Sequence, residues 1–408
     1  MTWTAPPRPA AAQALHEAAE AERRANPEAF SLDPDVIVQR AMSHRVADPS
    51  ELVGDWRPGL EHFLGSARED GRLNAIGERI MGEQAASKLA FGARVRATLA
   101  EHPERAGRVL QPPIVIVGGW RTGTTFLFRL LGTDPRLRAP LPLELTRPWK
   151  VAVSSLRERA ALTDQLDAAP NPLHLLNPAL RSVHDHGPRL AEECVLAMGV
   201  DLRSWGFPAT VRLDAYASWL ATQDLATAYA EYRRVLQLLD DGDGRRFVLK
   251  APAHTPELAH VARTFPGAVV VHLHRDMVET VASGASLFAV FRSTYSDEVD
   301  PTDVGRFQLD QTELWLRRAW AFRAGELASH VTLVDVAYSD LVRDPAAVVS
   351  AVYAAAGIEP PADLPGFVEA YQRQHPRHEH GAHRYTPEDF GIDPGEVAER
   401  FAFLAVDI

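Results

Sequence analysis

Gly118-Gly119-Trp120-Arg121-Thr122-Gly123-Thr124-Thr125 is the stretch of this 408-residue chain best suited to hold an anion. Three glycines let the backbone turn tightly and approach a ligand closely. Thr124 and Thr125 place hydroxyls and backbone N–H groups where a helix begins, and a helix N-terminus favours negative charge. The spacing matches the nucleotide loop G-x-x-x-x-G-K-[ST] at Gly118, Gly123 and Thr125, with Thr124 standing where lysine is expected. That lysine reaches the β- and γ-phosphates of a nucleoside triphosphate, so its absence disfavours ATP or GTP. The cation here, Arg121, lies inside the loop, placed for a single phosphate-like group near the turn.

The elements that must position these groups follow from the flanking residues. Ile114–Val117, a β-branched run after Pro112-Pro113, reads as a buried parallel strand. Phe126–Leu131 reads as an apolar helix stopped by Gly132 and Asp134-Pro135. Ala268–His274 is a further strand with Arg275 at its end, and Ser283 follows eight residues later on an inferred helix. Arg246–Lys250 is a short strand that delivers Lys250 to the carboxyl edge of a parallel sheet, where α/β proteins bind ligands. Val331–Asp335 is another strand, followed by Tyr338. The fold class is α/β: a phosphate-loop NTPase-like, mostly parallel sheet flanked by helices, with a helical N-terminal extension.

Arg121-Thr122-Gly123-Thr124-Thr125 resembles the [RK]-[ST]-G-T-T loop of sulfotransferases that use 3′-phosphoadenosine 5′-phosphosulfate (PAPS), with the bacterial sulfotransferase family proteins and the tyrosylprotein-type enzymes most similar. The resemblance spans roughly residues 110–400. It implies that Arg121, Thr122, Gly123, Thr124 and Thr125 hold the 5′-phosphosulfate, and that Arg275 and Ser283 hold the 3′-phosphate. Leu249-Lys250-Ala251-Pro252-Ala253-His254 is similar to the family's L-K-[SDA]-P-x-H stretch, which puts Lys250 beside the transferring group. Tyr338-Ser339-Asp340-Leu341 resembles Y-x-D-[LM], which puts Tyr338 beside the adenine. In place of the family's Arg-Lys-Gly loop, Arg377–Tyr385 offers His380-Gly381 and His383-Arg384, so Arg384 is a further candidate for the 3′-phosphate.

Sulfuryl transfer needs in-line placement, charge stabilisation on the leaving group and a base for the attacking hydroxyl or amine. Lys250 and Arg121 can neutralise charge on adenosine 3′,5′-bisphosphate, so no metal is expected. Residues 137–148 should return to the sheet beside the first strand and carry Glu144 among leucines, where desolvation raises a carboxyl pKa toward a usable value. Glu144-Leu145-Thr146-Arg147 also resembles the tyrosylprotein-type Glu-x-Thr-Arg, where glutamate is the base. An ion pair with Arg147 is the structural alternative for Glu144. His184 and His186 are rival bases. Glu192-Glu193-Cys194 resembles an E-E-C segment of the family, with the two glutamates read as helix-dipole partners. The histidines at 375, 378, 380 and 383, in a loop without cysteine, do not make a closed zinc site.

Composition bounds the rest. A net charge of −11 argues against a nucleic-acid partner. One cysteine, Cys194, excludes an internal disulfide and suits a reducing, cytoplasmic setting. No signal peptide and no membrane span are legible. Residues 1–105 read as a helical extension, with helices at Ala10–Ala25 and Leu73–Ala100 and a helix start at Asp33-Pro34, and residues 106–408 as the sulfotransferase domain. Aromatics at Trp149, Trp205, Phe207, Trp219, Tyr229, Phe288, Phe291, Tyr295, Trp315 and Trp320 are candidates to line a pocket for a small-molecule or lipid-like acceptor. The rival readings are a small-molecule kinase with an atypical loop and a nucleotide-binding protein without turnover.

Overall fold

A computed structural model describes residues 3–44, 48–183, 185–376 and 385–406. Five strands form one parallel sheet: β1 (Ile114–Gly118), β2 (Leu137–Arg138), β3 (Arg246–Lys250), β4 (Val269–His274) and β5 (Thr332–Ala337), in the order β2-β3-β1-β4-β5. The central strand β1 is buried along its whole length because both faces are covered by apolar side chains. Ile114 and Ile116 pack with Leu127, Phe128, Val248 and Val271 on one face. Val115 and Val117 pack with Leu249 and Val270 on the other.

The register puts Ile116 opposite Lys250 on β3 and Gly118 opposite Leu273 on β4. The carboxyl ends of β3, β1 and β4 therefore lie side by side, and Lys250, the glycine loop and Arg275 leave the sheet together. The segment after the loop helix does return to the sheet, but beside β3 and not beside β1 as expected. β3 takes the slot next to β1, so Lys250, and not the residues that follow β2, borders the loop.

The first hundred residues are helical, with helices at Ala10–Ala25, Pro34–Ser43, Trp56–Glu69 and Ala75–Glu101. Asp33 Oδ1 caps the second of these, accepting from the Asp35 and Val36 N–H groups at 2.9 and 3.2 Å. The fourth begins two residues later than the apolar pattern suggests. Asn74 Oδ1 accepts the Gly77 N–H there, which makes Asn74 the cap. Ile37, Leu60, Phe63 and Leu89 are buried in the same apolar cluster as Val115 and Leu249, so these helices cover one face of the sheet. Among the described residues no helix is long and apolar enough to cross a membrane.

Candidate active site

The loop after β1 turns through three left-handed residues, Gly118 (φ +142°), Arg121 (φ +58°) and Gly123 (φ +91°). At Gly118 a Cβ would stand 2.6 Å from the Leu273 carbonyl oxygen, so only glycine lets the loop cross β4 at backbone distance. Arg121 carries a side chain in the same region of backbone space, a conformation that costs about 1 kcal/mol or more and aims the loop's one cation. Thr122 Oγ1 donates to the Gly119 carbonyl at 2.9 Å and staples the turn from inside. Gly118 N–H is held by Thr255 Oγ1 at 3.2 Å. The helix that follows spans Thr124–Leu131, so the Thr124 and Thr125 N–H groups have no carbonyl of their own helix to bond.

Two cations converge on this helix start. Lys250 Nζ donates to Thr125 Oγ1 at 3.0 Å and pairs with the Glu193 carboxylate. Arg275 Nη1 donates to the Arg121 carbonyl at 2.9 Å, and its Nε donates to Glu279 Oε2 at 2.6 Å. The Arg275 guanidinium also lies 4.5 Å from the Tyr338 ring centroid, a cation–π stack that fixes its plane. A cradle of loop N–H groups between two fixed cations, with an aromatic face beside it, fits a nucleotide carrying phosphate groups at both ends.

These residues line a cavity of about 790 Å³. Arg121, Gly123, Thr124, Thr125, Lys250, Arg275 and Tyr338 form its polar end. Leu173, Val195, Leu196, Trp205, Phe288 and Phe291 form an apolar end. Of the ten aromatics put forward as pocket lining, Trp205, Phe288 and Phe291 are among the lining residues; Trp120, inside the loop itself, and Phe126, just after it, join them. Thr122 and Ser283 are buried and are not among the lining residues; Ser283 lies on the Met277–Tyr295 helix that follows Arg275. His184 and Arg384, with His378, His380 and His383, lie outside the described residues.

Glu144 is corrected by the geometry. It is not among the cavity's lining residues. Its Oε1 accepts from Arg138 Nη2 at 2.6 Å, and its Oε2 caps its own short helix by accepting the Leu141 N–H at 2.9 Å. Arg138 in turn binds Asp241, and the pairing with Arg147 does not form among the described contacts. The pull of Arg138 and the bare helix start hold the carboxylate away from the cavity.

The carboxylates that do line it are Glu192 and Glu193. Glu192 Oε2 lies 2.9 Å from His186 Nδ1, and Glu192 Oε1 accepts the Glu193 N–H at 2.8 Å. His186 lines the cavity as well. The sequence signal was the acidic doublet, discounted as a helix start. No α-helix follows it, only the 3₁₀ turn Cys194–Leu196, so the carboxylates answer to the cavity and not to a dipole. Cys194 is buried, which pushes its thiol up to about 12 and leaves it without nucleophilic character. Away from the cavity, His272, His274 and Asp335 cluster on β4 and β5, but Arg323 donates to both Asp335 oxygens and opposes a metal cation there.

The sulfotransferase family profile matches residues 112–362, more than half of the chain and the whole span from β1 to beyond β5. The chain belongs to the sulfotransferase family. This sulfotransferase is 24% identical over 344 residues to the omega-hydroxy-beta-dihydromenaquinone-9 sulfotransferase Stf3 of Mycobacterium bovis, covering 78% of the chain and 79% of the relative. It is similar in structure to sulfotransferase STF1 of Mycobacterium tuberculosis, with a TM-score of 0.71, 27% identity, and coverage of 85% of this chain and 92% of that one. Sulfotransferase STF9 of Mycobacterium avium shares the fold at a TM-score of 0.74 and 22% identity, over 92% and 96% of the two chains. The protein is therefore a transferase enzyme with an α/β phosphate-loop fold.

Proposed function

We propose that the enzyme moves a sulfuryl group from PAPS to the hydroxyl of a largely apolar, lipid-like acceptor. The observation that carries this reading is the cavity itself. Its cationic end is built for two phosphate-type groups and lacks the triphosphate lysine, while its other end is apolar, and Lys250 and Glu193 meet between them. The residues that would hold the donor are Arg121, Thr124 and Thr125 at its 5′ end and Arg275 with Tyr338 at its nucleoside end. Its chemistry is a sulfuryl group on a bisphosphate leaving group. The acceptor side is supported by Stf3, named for a menaquinone-derived acceptor.

In this reading Lys250 and Arg121 place positive charge where the leaving oxygen gains negative charge. Glu193 takes the acceptor's proton at a carboxylate oxygen, and Glu192, bonded to His186 and to the Glu193 N–H, keeps that carboxylate turned to the cavity. Trp205, Phe288 and Phe291 exclude water and orient the acceptor's apolar body. Residues 1–105 act as a helical extension of a 106–408 sulfotransferase domain. One cysteine in 408 residues, and that one buried, fits a cytoplasmic setting.

Calorimetric titration with adenosine 3′,5′-bisphosphate, run beside ATP with Mg²⁺, tests the donor. Tight bisphosphate binding that Arg275→Ala weakens by about 10- to 100-fold is the expected result. Binding of ATP alone would reject the donor and favour a kinase.

A further inference from the structure

Lys88 lies midway along the Ala75–Glu101 helix, outside the matched region that begins at residue 112. Its Nζ donates to three backbone carbonyls, Val195 at 3.2 Å, Leu196 at 2.8 Å and Met198 at 2.6 Å. Among the described residues it has no carboxylate partner. A lysine drawn onto three neutral oxygens instead of into solvent or an ion pair has given up hydration for a specific geometry. The three carbonyls belong to the turn that follows Glu192 and Glu193, and Val195 and Leu196 are themselves walls of the cavity. The same turn is held at its start by the Glu192 N–H donating to the Pro140 carbonyl at 3.0 Å and on its cavity side by Lys250 gripping Glu193.

We infer that Lys88 is a positioning residue for the transfer reaction: its three donors fix the 192–198 turn, and so set both the Glu193 carboxylate against Lys250 and the Val195–Leu196 wall against the acceptor. The inference rests on the sulfuryl-transfer reading of the cavity for its catalytic meaning, though the tether is a property of the fold alone. It also gives the N-terminal helices a task at a site to which, among the described residues, they contribute no lining residue.

The arrangement depends on the proton. An ammonium has three N–H donors for three carbonyls, and a neutral amine has two. Burial pulls Lys88 down to about 7, with no charged group contributing. The positions one turn away on its own helix, Gln84, Ala85, Phe91 and Gly92, do not titrate. On the turn itself Glu192, Glu193 and Cys194 carry ionisable side chains, and on the adjacent Pro148–Val153 helix Lys150 is exposed. Glu231, on the Ala226–Leu239 helix, is occupied by Arg96. Deprotonation in neutral to alkaline solution would release one of the three carbonyls.

The test compares wild type, Lys88→Met and Lys88→Arg by bisphosphate calorimetry, by acceptor kcat and KM across neutral and alkaline pH, and by amide hydrogen exchange. Lys88→Met should keep bisphosphate affinity while kcat falls about 10- to 100-fold, the scale of a misplaced catalytic group, and the alkaline decline of kcat disappears. Lys88→Arg, which stays protonated, should restore most of kcat and move that decline upward. The Leu196 and Ala197 amides, bonded within the turn to Glu193 and Cys194, should exchange faster in Lys88→Met while β1 amides do not change. Wild-type kcat in Lys88→Met, an unmoved alkaline limb in Lys88→Arg, or joint loss of kcat and bisphosphate affinity would each overturn the inference, the last by making Lys88 a general stabiliser. If wild type itself fails to bind the bisphosphate, the donor reading fails. The exchange measurement then still decides the tether, since unchanged exchange at 196–197 rejects it.

Discussion

Lys250→Met separates the two tasks given to Lys250, holding Glu193 and stabilising developing charge. The Lys250 side chain is 5% exposed and that of Glu193 18%. Removing one partner of a fully buried pair costs about 3 to 5 kcal/mol because it strands a charge. Glu193 retains some contact with solvent, so water can return to it, and about 2 to 3 kcal/mol is the expected loss of stability. Adding Glu193→Gln removes the stranded charge, and the double variant should recover about 2 kcal/mol of that loss. Turnover should behave differently. A preorganised donor aimed at developing charge is worth about 10²- to 10³-fold in kcat, and neither variant has it. Denaturant unfolding of the ligand-free proteins gives the first quantity, and donor-to-acceptor transfer under saturating donor gives the second. A double variant as unstable as Lys250→Met, or a Lys250→Met enzyme within about threefold of wild-type kcat, would refute the reasoning.

Glu193→Gln alone should cut kcat by about 10²-fold or more, while Glu144→Gln, at a carboxylate bonded among the described residues to Arg138 and its own helix cap, should stay within a few-fold of wild type and lose about 1 kcal/mol of stability. Steady-state turnover of the pair decides which carboxylate is the base. Arg275→Ala should weaken bisphosphate binding by about 10- to 100-fold, the worth of charge-assisted hydrogen bonds, and Arg275→Lys should recover little because the stack on Tyr338 needs a planar group. Acid should act through Asp241. Burial raises its pKa, but the Arg159 hydrogen bond and the charges of Arg138, Arg159 and Arg105 outweigh burial and bring it from 3.8 to about 2. Its folded pKa is depressed, so its contribution of about 1 to 2 kcal/mol is full above pH 4 and is lost as pH falls toward 2. Unfolding midpoints of wild type and Asp241→Asn should therefore converge on acidification through that window; parallel curves would exclude it.

The strands around the loop are legible because their chemistry is local. A parallel strand buried on both faces must be a short β-branched run, and Ile114–Val117 and Ala268–His274 are such runs bounded by proline, glycine and charge. The loop is legible because glycine positions report backbone that no other residue adopts readily, as at Gly118 and Gly123. Strand order is not local: nothing in residues 137–148 tells that β3 will take the place next to β1. The position of Glu144 was misread for the same reason. Glu144 sits among leucines in the sequence, but what captures it is Arg138, six residues earlier and bound also to Asp241, a residue a hundred positions away. Glu193 was passed over because an acidic doublet before an apolar stretch looks like a helix start, and only the tertiary approach of Lys250 gives it a partner. Which aromatics face the cavity is likewise set by packing: Trp205 does, while Phe207, two residues on, is spent on Phe63 and Tyr216.

The N-terminal helices are sewn to residues made much later. Lys88 is tied to 195–198, the Asn74 N–H to the Tyr295 carbonyl, and Arg8 to Ser293 and Asp297. On a ribosome that adds about 5 to 20 residues each second, the earliest helices must wait about ten seconds or longer for partners two hundred residues downstream. During that wait the apolar faces of Phe63 and Leu89 have no sheet to cover. Vectorial synthesis thus puts this chain's hazard at its beginning, and a chaperone that shields the first hundred residues would raise the yield of active enzyme more than one acting on the finished sheet.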